Sequence, residues 1–126
     1  MYATSLRKEL VAQHYLPNAV GREAEWHSHP YKLEVTVYGE ELDRNGYLVD
    51  LDEMDRAMDG LTERYGDSTL NEHPDFQGLN PSIENFAKVC WERLVASMDT
   101  SSISEMEVRI YETDLAYAAY QGKVGD

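Results

Sequence analysis

Two stretches of the chain alternate between apolar and polar positions. From Tyr31 to Val37 the odd positions hold Tyr31, Leu33, Val35 and Val37, and the even ones Lys32, Glu34 and Thr36. Met106, Val108 and Ile110 alternate in the same way with Glu105, Glu107 and Arg109. A period of two puts every second side chain on the same side of an extended backbone, so each stretch predicts a strand with one buried face. Between them the period changes. Leu51, Met54, Met58, Leu61 and Tyr65 recur every three or four residues, as do Ile83, Phe86, Ala87, Cys90 and Leu94. Each set reads as the apolar stripe of a helix. Asp50, with Glu53 three residues on, is a start signal for the first helix. Pro81 stands at a favoured first-turn position for the second.

Turn formers separate these elements. A polar loop from Gly39 ends in Asn45-Gly46, the stretch from Tyr65 to Asn80 is irregular, and Asp99-Thr100-Ser101-Ser102 breaks the chain before the later strand. A last short strand, around Leu115 to Tyr120, follows closely enough to pair with it. The N-terminal segment reads two ways. Leu6, Leu10 and His14 have helical spacing, yet Leu6, Leu10, Ala12 and His14 also share one face of a strand. Periodicity alone does not separate them. With the strand option the order is β-β-α-α-β-β, an α+β fold with two helices on one face of a four-stranded antiparallel sheet.

At 126 residues and 42% hydrophobic content the chain is expected to be one domain, residues 1–126, with a real core. No apolar run is long enough to cross a bilayer and the N-terminus lacks a signal-peptide core, so a soluble, cytoplasmic protein is expected. The single Cys90 excludes an intramolecular disulfide and a thiolate-rich metal site. The net charge of −13 argues against nucleic acid or an anionic membrane as partner, since both reward basic patches.

Chemistry enters with the histidines. His27 and His29 lie two apart, so on a strand they share a face with Leu33 and Val35, provided Pro30 keeps the register. Two imidazoles so placed can converge on one metal, with His14 joining from a neighbouring strand. Three protein ligands and one open position form the pattern of catalytic zinc. A chance HxH at a strand end is the simpler reading of that pair alone. Glu112 poses a similar question, because it continues the apolar face of Met106, Val108 and Ile110. Either the strand has ended and the carboxylate is solvated, or it meets the hydrogen-bond donors of a ligand.

Taken in order, these segments resemble the 6-pyruvoyl-tetrahydropterin synthase / 6-carboxytetrahydropterin synthase family over nearly the whole chain. "LVAQHYL" looks like the family's first zinc-ligand strand, and "HSHPYKLEV" like its His-Gly-His element. "NGYLVDL", "TLN" and "NPSIENFA" are similar to the segments around its two helices, and "YETDLAYAAY" to its closing Glu-Thr element. The resemblance implies the tunnelling fold, with a strand at the N-terminus and subunits joining through their sheets into a barrel, as a homo-oligomer (trimer or hexamer). It implies zinc on His14, His27 and His29, a small-molecule pterin substrate, and Glu112 with Thr113 anchoring the pterin ring at the end of the pocket away from the metal. A lyase-type enzyme acting on the side chain of 7,8-dihydroneopterin or its triphosphate follows.

The likeness has gaps at the acid–base groups. The family's cysteine, four residues before the His-Gly-His, is here Glu23. Its Asp-His pair before Leu-Asn aligns with Gly66 and Asp67, and its central glycine is Ser28. Some members use a glutamate in place of the cysteine, so Glu23 or Glu25 is expected as the base, with Asp67 and His73 as second acid–base groups. The rival expectation is a zinc-containing protein that binds a pterin or a purine-like ligand without turnover.

Overall fold

The computed structural model describes residues 1–15 and 27–125, apart from the side chain of His27. Four strands, β1 (Tyr2–His14), β2 (His27–Gly39), β3 (Glu105–Thr113) and β4 (Ala116–Lys123), form one antiparallel sheet in sequence order. Helices α1 (Leu51–Tyr65) and α2 (Ile83–Ser97) separate β2 from β3. The ambiguous N-terminus is a strand. It pairs with β2 along its whole length, from Tyr2–Gly39 to His14–His27. Pro30 does not break the register: it lies beyond the part of β2 that pairs with β3, which stops at Lys32–Tyr111.

Burial follows the alternation. Leu10, Ala12, Tyr31, Leu33, Val35, Val37, Met106, Val108 and Ile110 are buried on one face of the sheet. Over them lie Met54, Met58, Leu61 and Tyr65 of α1 and Phe86, Ala87, Cys90 and Leu94 of α2. Helix α1 sits against β1, and α2 against β3 and β4. The last approach is close: a side chain at Gly122 would come within 3.1 Å of the Trp91 ring, whose Nε1–H donates to the Met106 carbonyl at 2.9 Å. The opposite face is polar. Arg7 pairs with Glu34 and lies 4.8 Å from the Tyr111 ring, while Arg109 pairs with Glu107 and lies 4.5 Å from that of Tyr117.

Element ends differ from the expectations in four places. Asp50 caps α1 as expected, accepting from the N–H groups of Asp52 and Glu53, but the Glu53 side chain accepts from the Asp99 N–H instead of closing a capping box. Leu51, at the first helical position, is 48% exposed and outside the stripe. Helix α2 begins at Ile83 with Ser82 as its cap, because the Ser82 hydroxyl reaches the Asn85 N–H; Pro81 precedes the helix instead of opening it. Strand β4 starts at Ala116 and runs on to Lys123, and Leu115 is 97% exposed in the turn.

The irregular stretch after α1 contains two short 3-10 turns, Leu70–Glu72 and Pro74–Phe76. Asp75 ties them to both helices. Its carboxylate accepts from Arg64 of α1 (2.8 and 3.2 Å), from Arg93 of α2 (3.2 and 2.5 Å) and from the Tyr65 hydroxyl (2.5 Å). The Arg64 hydrogen bonds, then those of Arg93 and Tyr65, hold its pKa far below the ordinary 3.8 despite partial burial. A depressed carboxylate pKa stabilises the fold above the unfolded-state value, and that contribution fades as pH falls toward the folded-state value. Asp75→Ala should therefore cost about 2–4 kcal/mol near neutral pH. The gap to the parent should narrow steadily below about pH 4, as denaturant titrations along a pH series will show.

Candidate metal and ligand site

The ladder between β1 and β2 sets Ala12 opposite His29 and His14 opposite His27. Cross-strand partners share a face, so His14 and His29 lie on the helix side of the sheet with Tyr31. The His14 and His29 ring centres are 5.2 Å apart, and Tyr31 lies 5.9 Å from the first and 5.5 Å from the second. His27 is placed by its backbone alone, as its side chain lies outside the described residues.

Glu112 arrives from the far side of β2. The strand has not ended there, since β3 continues to Thr113. Its pairing with β4 jumps from Tyr111–Tyr117 to Thr113–Ala116 and leaves Glu112 as the extra residue. On the β2 side Glu112 is one position beyond the last rung, Lys32–Tyr111. Here Glu112 Oε1 comes to 3.4 Å from His29 Nε2. The expectation that it stands at the opposite end of the pocket from the histidines is thus corrected. One donor atom each from His14, His29 and Glu112 lies within 4.8 Å of the others. Imidazole nitrogen and carboxylate oxygen are the ligand types that zinc accepts, so this donor set fits a divalent ion. Thr113, beside it, is exposed, and its Oγ1 accepts the Leu115 N–H within the β3–β4 turn.

A feature missed by periodicity braces the histidine end of β1. The segment after α1 runs beside it: the Asp67 N–H donates to the Val11 carbonyl at 2.7 Å, and the Gln13 N–H to that of Ser68 at 2.9 Å. Gln13 and Thr69 form a parallel bridge. Asn71 then grips Tyr15 twice, its Oδ1 accepting the Tyr15 N–H at 2.9 Å and its Nδ2 donating to the Tyr15 carbonyl at 2.8 Å. The only sequence signal for this was the Leu70-Asn71 pair.

The expected acid–base groups fare differently. Glu23 and Glu25 lie outside the described residues. Asp67 is exposed and adopts φ of 56°, a left-handed conformation that Asp tolerates better than most residues. His73 packs on Tyr65 with ring centres 4.9 Å apart, and its Nδ1 accepts the Asp75 N–H at 3.2 Å. Within one chain neither is brought to the His14–His29–Glu112 cluster. Burial lowers the His73 pKa, so the ring is neutral at pH 7. Cys90 is fully buried in α2, and burial pushes its thiol up, which keeps it protonated and inert.

A β-β-α-α-β-β sheet with histidines at the ends of two adjoining strands and a glutamate facing them from the third defines a small α+β protein with a metal-competent site. The sequence profile described as 6-pyruvoyl tetrahydropterin synthase matches residues 3–123, and the chain belongs to that family. It is 30% identical to the 6-carboxy-5,6,7,8-tetrahydropterin synthase of Bacillus subtilis, over 98% of this chain and 89% of the relative. It is 27% identical to the human 6-pyruvoyl tetrahydrobiopterin synthase, over 77% and 67% respectively. The fold matches the Caenorhabditis elegans 6-pyruvoyl tetrahydropterin synthase with a TM-score of 0.82 at 21% identity, covering 96% of this chain and 95% of that one. The Plasmodium vivax enzyme, solved as an alanine variant of a catalytic glutamate, gives 0.78 at 15% identity, covering 98% and 100%. The four-stranded sheet with two helices is therefore the tunnelling fold of this family.

Tyr31 carries an odd feature at the base of the site. Its hydroxyl is buried and has no hydrogen-bond partner among the described residues, and burial together with the nearby Glu112 pushes its pKa up. An unsatisfied buried hydroxyl costs about 1–3 kcal/mol. Tyr31→Phe should accordingly leave the melting temperature of the metal-free protein unchanged or raise it by a few degrees, at about 4 °C per kcal/mol. A clear fall in calorimetry would mean that the hydroxyl has a partner in solution.

Proposed function

We propose that the chain is a zinc-dependent, lyase-type enzyme acting on the side chain of a reduced pterin, 7,8-dihydroneopterin or its triphosphate. The observation that carries this reading is the convergence of His14, His29 and Glu112 from three strands onto one place at the end of the sheet. Membership of the 6-pyruvoyl tetrahydropterin synthase family supports it. His14, His27 and His29 would hold the ion, which supplies Lewis acidity to a side-chain hydroxyl or carbonyl. Glu112 accepts hydrogen bonds from the pterin 2-amino group and a ring N–H, with Thr113 beside it. These donors would take the place of the His29 contact.

Proton transfer falls to Glu23 or Glu25. The catalytic glutamate of the Plasmodium vivax relative supports a carboxylate in that role. His73 is suited to be a second group: its Nδ1 accepts the Asp75 N–H, so in the neutral ring the proton sits on Nε2. Asp67 is the other candidate, and both would reach a pterin held by a neighbouring subunit. The outer edges of β4 and of the first part of β1, which pair with no further strand among the described residues, offer rungs for such a partner. A homo-oligomer (trimer or hexamer) in the cytoplasm, with no nucleic-acid or membrane partner, completes the reading. A protein that binds the pterin without turnover is the second reading, favoured by Glu23 standing where the family has a cysteine.

Zinc-loaded protein incubated with dihydroneopterin triphosphate should release a side-chain-altered pterin, detected by mass. Binding without any product would select the second reading. Purified protein should hold about one zinc per chain, and His14→Ala or His29→Ala should remove most of it. Glu112→Gln should weaken dihydropterin binding about ten- to a hundredfold in calorimetry, the loss of a charge-assisted acceptor worth roughly 1.5–3 kcal/mol. Unchanged binding would sink the pterin assignment. Sedimentation should show a trimer or hexamer at micromolar concentration, and a stable monomer would remove His73 and Asp67 from the reaction.

A further inference from the structure

We infer that Asn71 is a positioning residue for His14, acting through the backbone of Tyr15. This rests on the reading of His14 as a metal ligand. His14 is the last residue of β1, and beyond Tyr15 no regular pairing continues among the described residues. A strand end normally frays, because its last residues have fewer rungs to hold them. The two hydrogen bonds from the Asn71 amide, at 2.9 and 2.8 Å, occupy both the N–H and the carbonyl of Tyr15. A primary amide presents a donor and an acceptor as a peptide group does, so Asn71 adds one more rung where the sheet has run out of strand.

The rung is anchored from behind. Leu70 is fully buried, and the Gln13 N–H is already bonded to the Ser68 carbonyl. The His73 N–H closes the turn back onto the Leu70 carbonyl, and Asp75 fastens the following turn to α1 and α2 through Arg64 and Arg93. Asn71 thus projects from a segment fixed at both ends, and it fixes the residue next to His14. A ligand must be held within about half an ångström of its working position for full affinity. Loss of the residues that orient metal ligands commonly costs ten- to a hundredfold in metal affinity. The Asn71 amide acts on the Tyr15 backbone, and a backbone brace of this kind belongs at the lower end of that range.

Asn71→Ala is compared with the parent and with Asp50→Ala, which removes the cap of α1 near the opposite end of the sheet, where β2 ends at Gly39. Zinc affinity is read by competition with a chromophoric chelator, and ligand geometry by the visible spectrum of the cobalt-substituted protein. Asn71→Ala should bind zinc about tenfold more weakly and alter the cobalt spectrum. Asp50→Ala should lower the melting temperature while leaving both metal readouts at parent values. Asn71→Asp, which keeps the acceptor for the Tyr15 N–H but lacks the donor for its carbonyl, should fall between and serves if the alanine variant does not fold. Parent-like zinc affinity and cobalt spectrum in the Asn71 variants would overturn the inference. If the parent binds neither metal, the metal reading fails on its own. The clamp is then decided in the metal-free protein: the His14 imidazole resonances should shift or broaden and the Tyr15 amide exchange faster in Asn71→Ala, and identical spectra would refute it.

Discussion

Everything at the functional end of this molecule depends on the register of the ladder between β1 and β2. The two strands pair over thirteen positions, from Tyr2–Gly39 to His14–His27. Slipping that ladder by one residue would turn Leu10, Ala12 and His14 away from the helices and bring Val11 and Gln13 under them. The same register that buries the apolar residues therefore sets His14 beside His29. Core and site are specified by one constraint. A mutation that weakens the buried alternation is then a threat to the ligand geometry as well as to stability.

Charge is distributed so that this acidic chain stays compact. With 24 acidic residues against 11 basic, two of the cations each serve two carboxylates. Lys8 reaches both Asp55 and Asp59 of α1 from β1, and Arg109 lies near both Glu34 and Glu107 on the polar face. Asp75 reverses the pattern, with one carboxylate drawing on two arginines and a tyrosine. That reversal joins α1, α2 and the segment bracing β1 at one low-exposure anion. It links the helical layer to the histidine end of the sheet through hydrogen bonds, beside the aromatic path of Tyr65, Phe86 and Tyr31.

The site combines a rigid part and an adjustable one. His14 and His29 stand on paired strands against the Tyr31 ring, whereas Glu112 sits on an irregular turn of the ladder with its side chain 40% exposed. A carboxylate so placed can leave His29 for a ligand at little cost to the fold. The donor set gathered there is of a kind that a divalent ion accepts, in a chain of the 6-pyruvoyl tetrahydropterin synthase family.

Much of this was legible from the chain alone, because it rests on local periods. The alternation at Tyr31–Val37 and Met106–Ile110 marked two strands, the stripes through Met58 and Phe86 marked two helices, and ordered short motifs identified the family. His14, His27 and His29 stood out by type and spacing. What the chain could not reveal depends on contacts between distant residues. By spacing alone Leu6, Leu10 and His14 fit a helix and a strand equally well; the family resemblance implied the strand, and β2 supplies a partner for every rung. The Ser82 cap took the start of α2 from Pro81 because a hydroxyl reached the Asn85 N–H. Alternation put Glu112 on the face of Met106, Val108 and Ile110, but that it comes within reach of His29 is decided by where β3 lies against β2, which alternation does not report. Asn71 gripping Tyr15 joins residues far apart in sequence, and neither carries a periodic signal. Periodicity reports which face of an element is buried; only the packed chain decides which polar groups meet there.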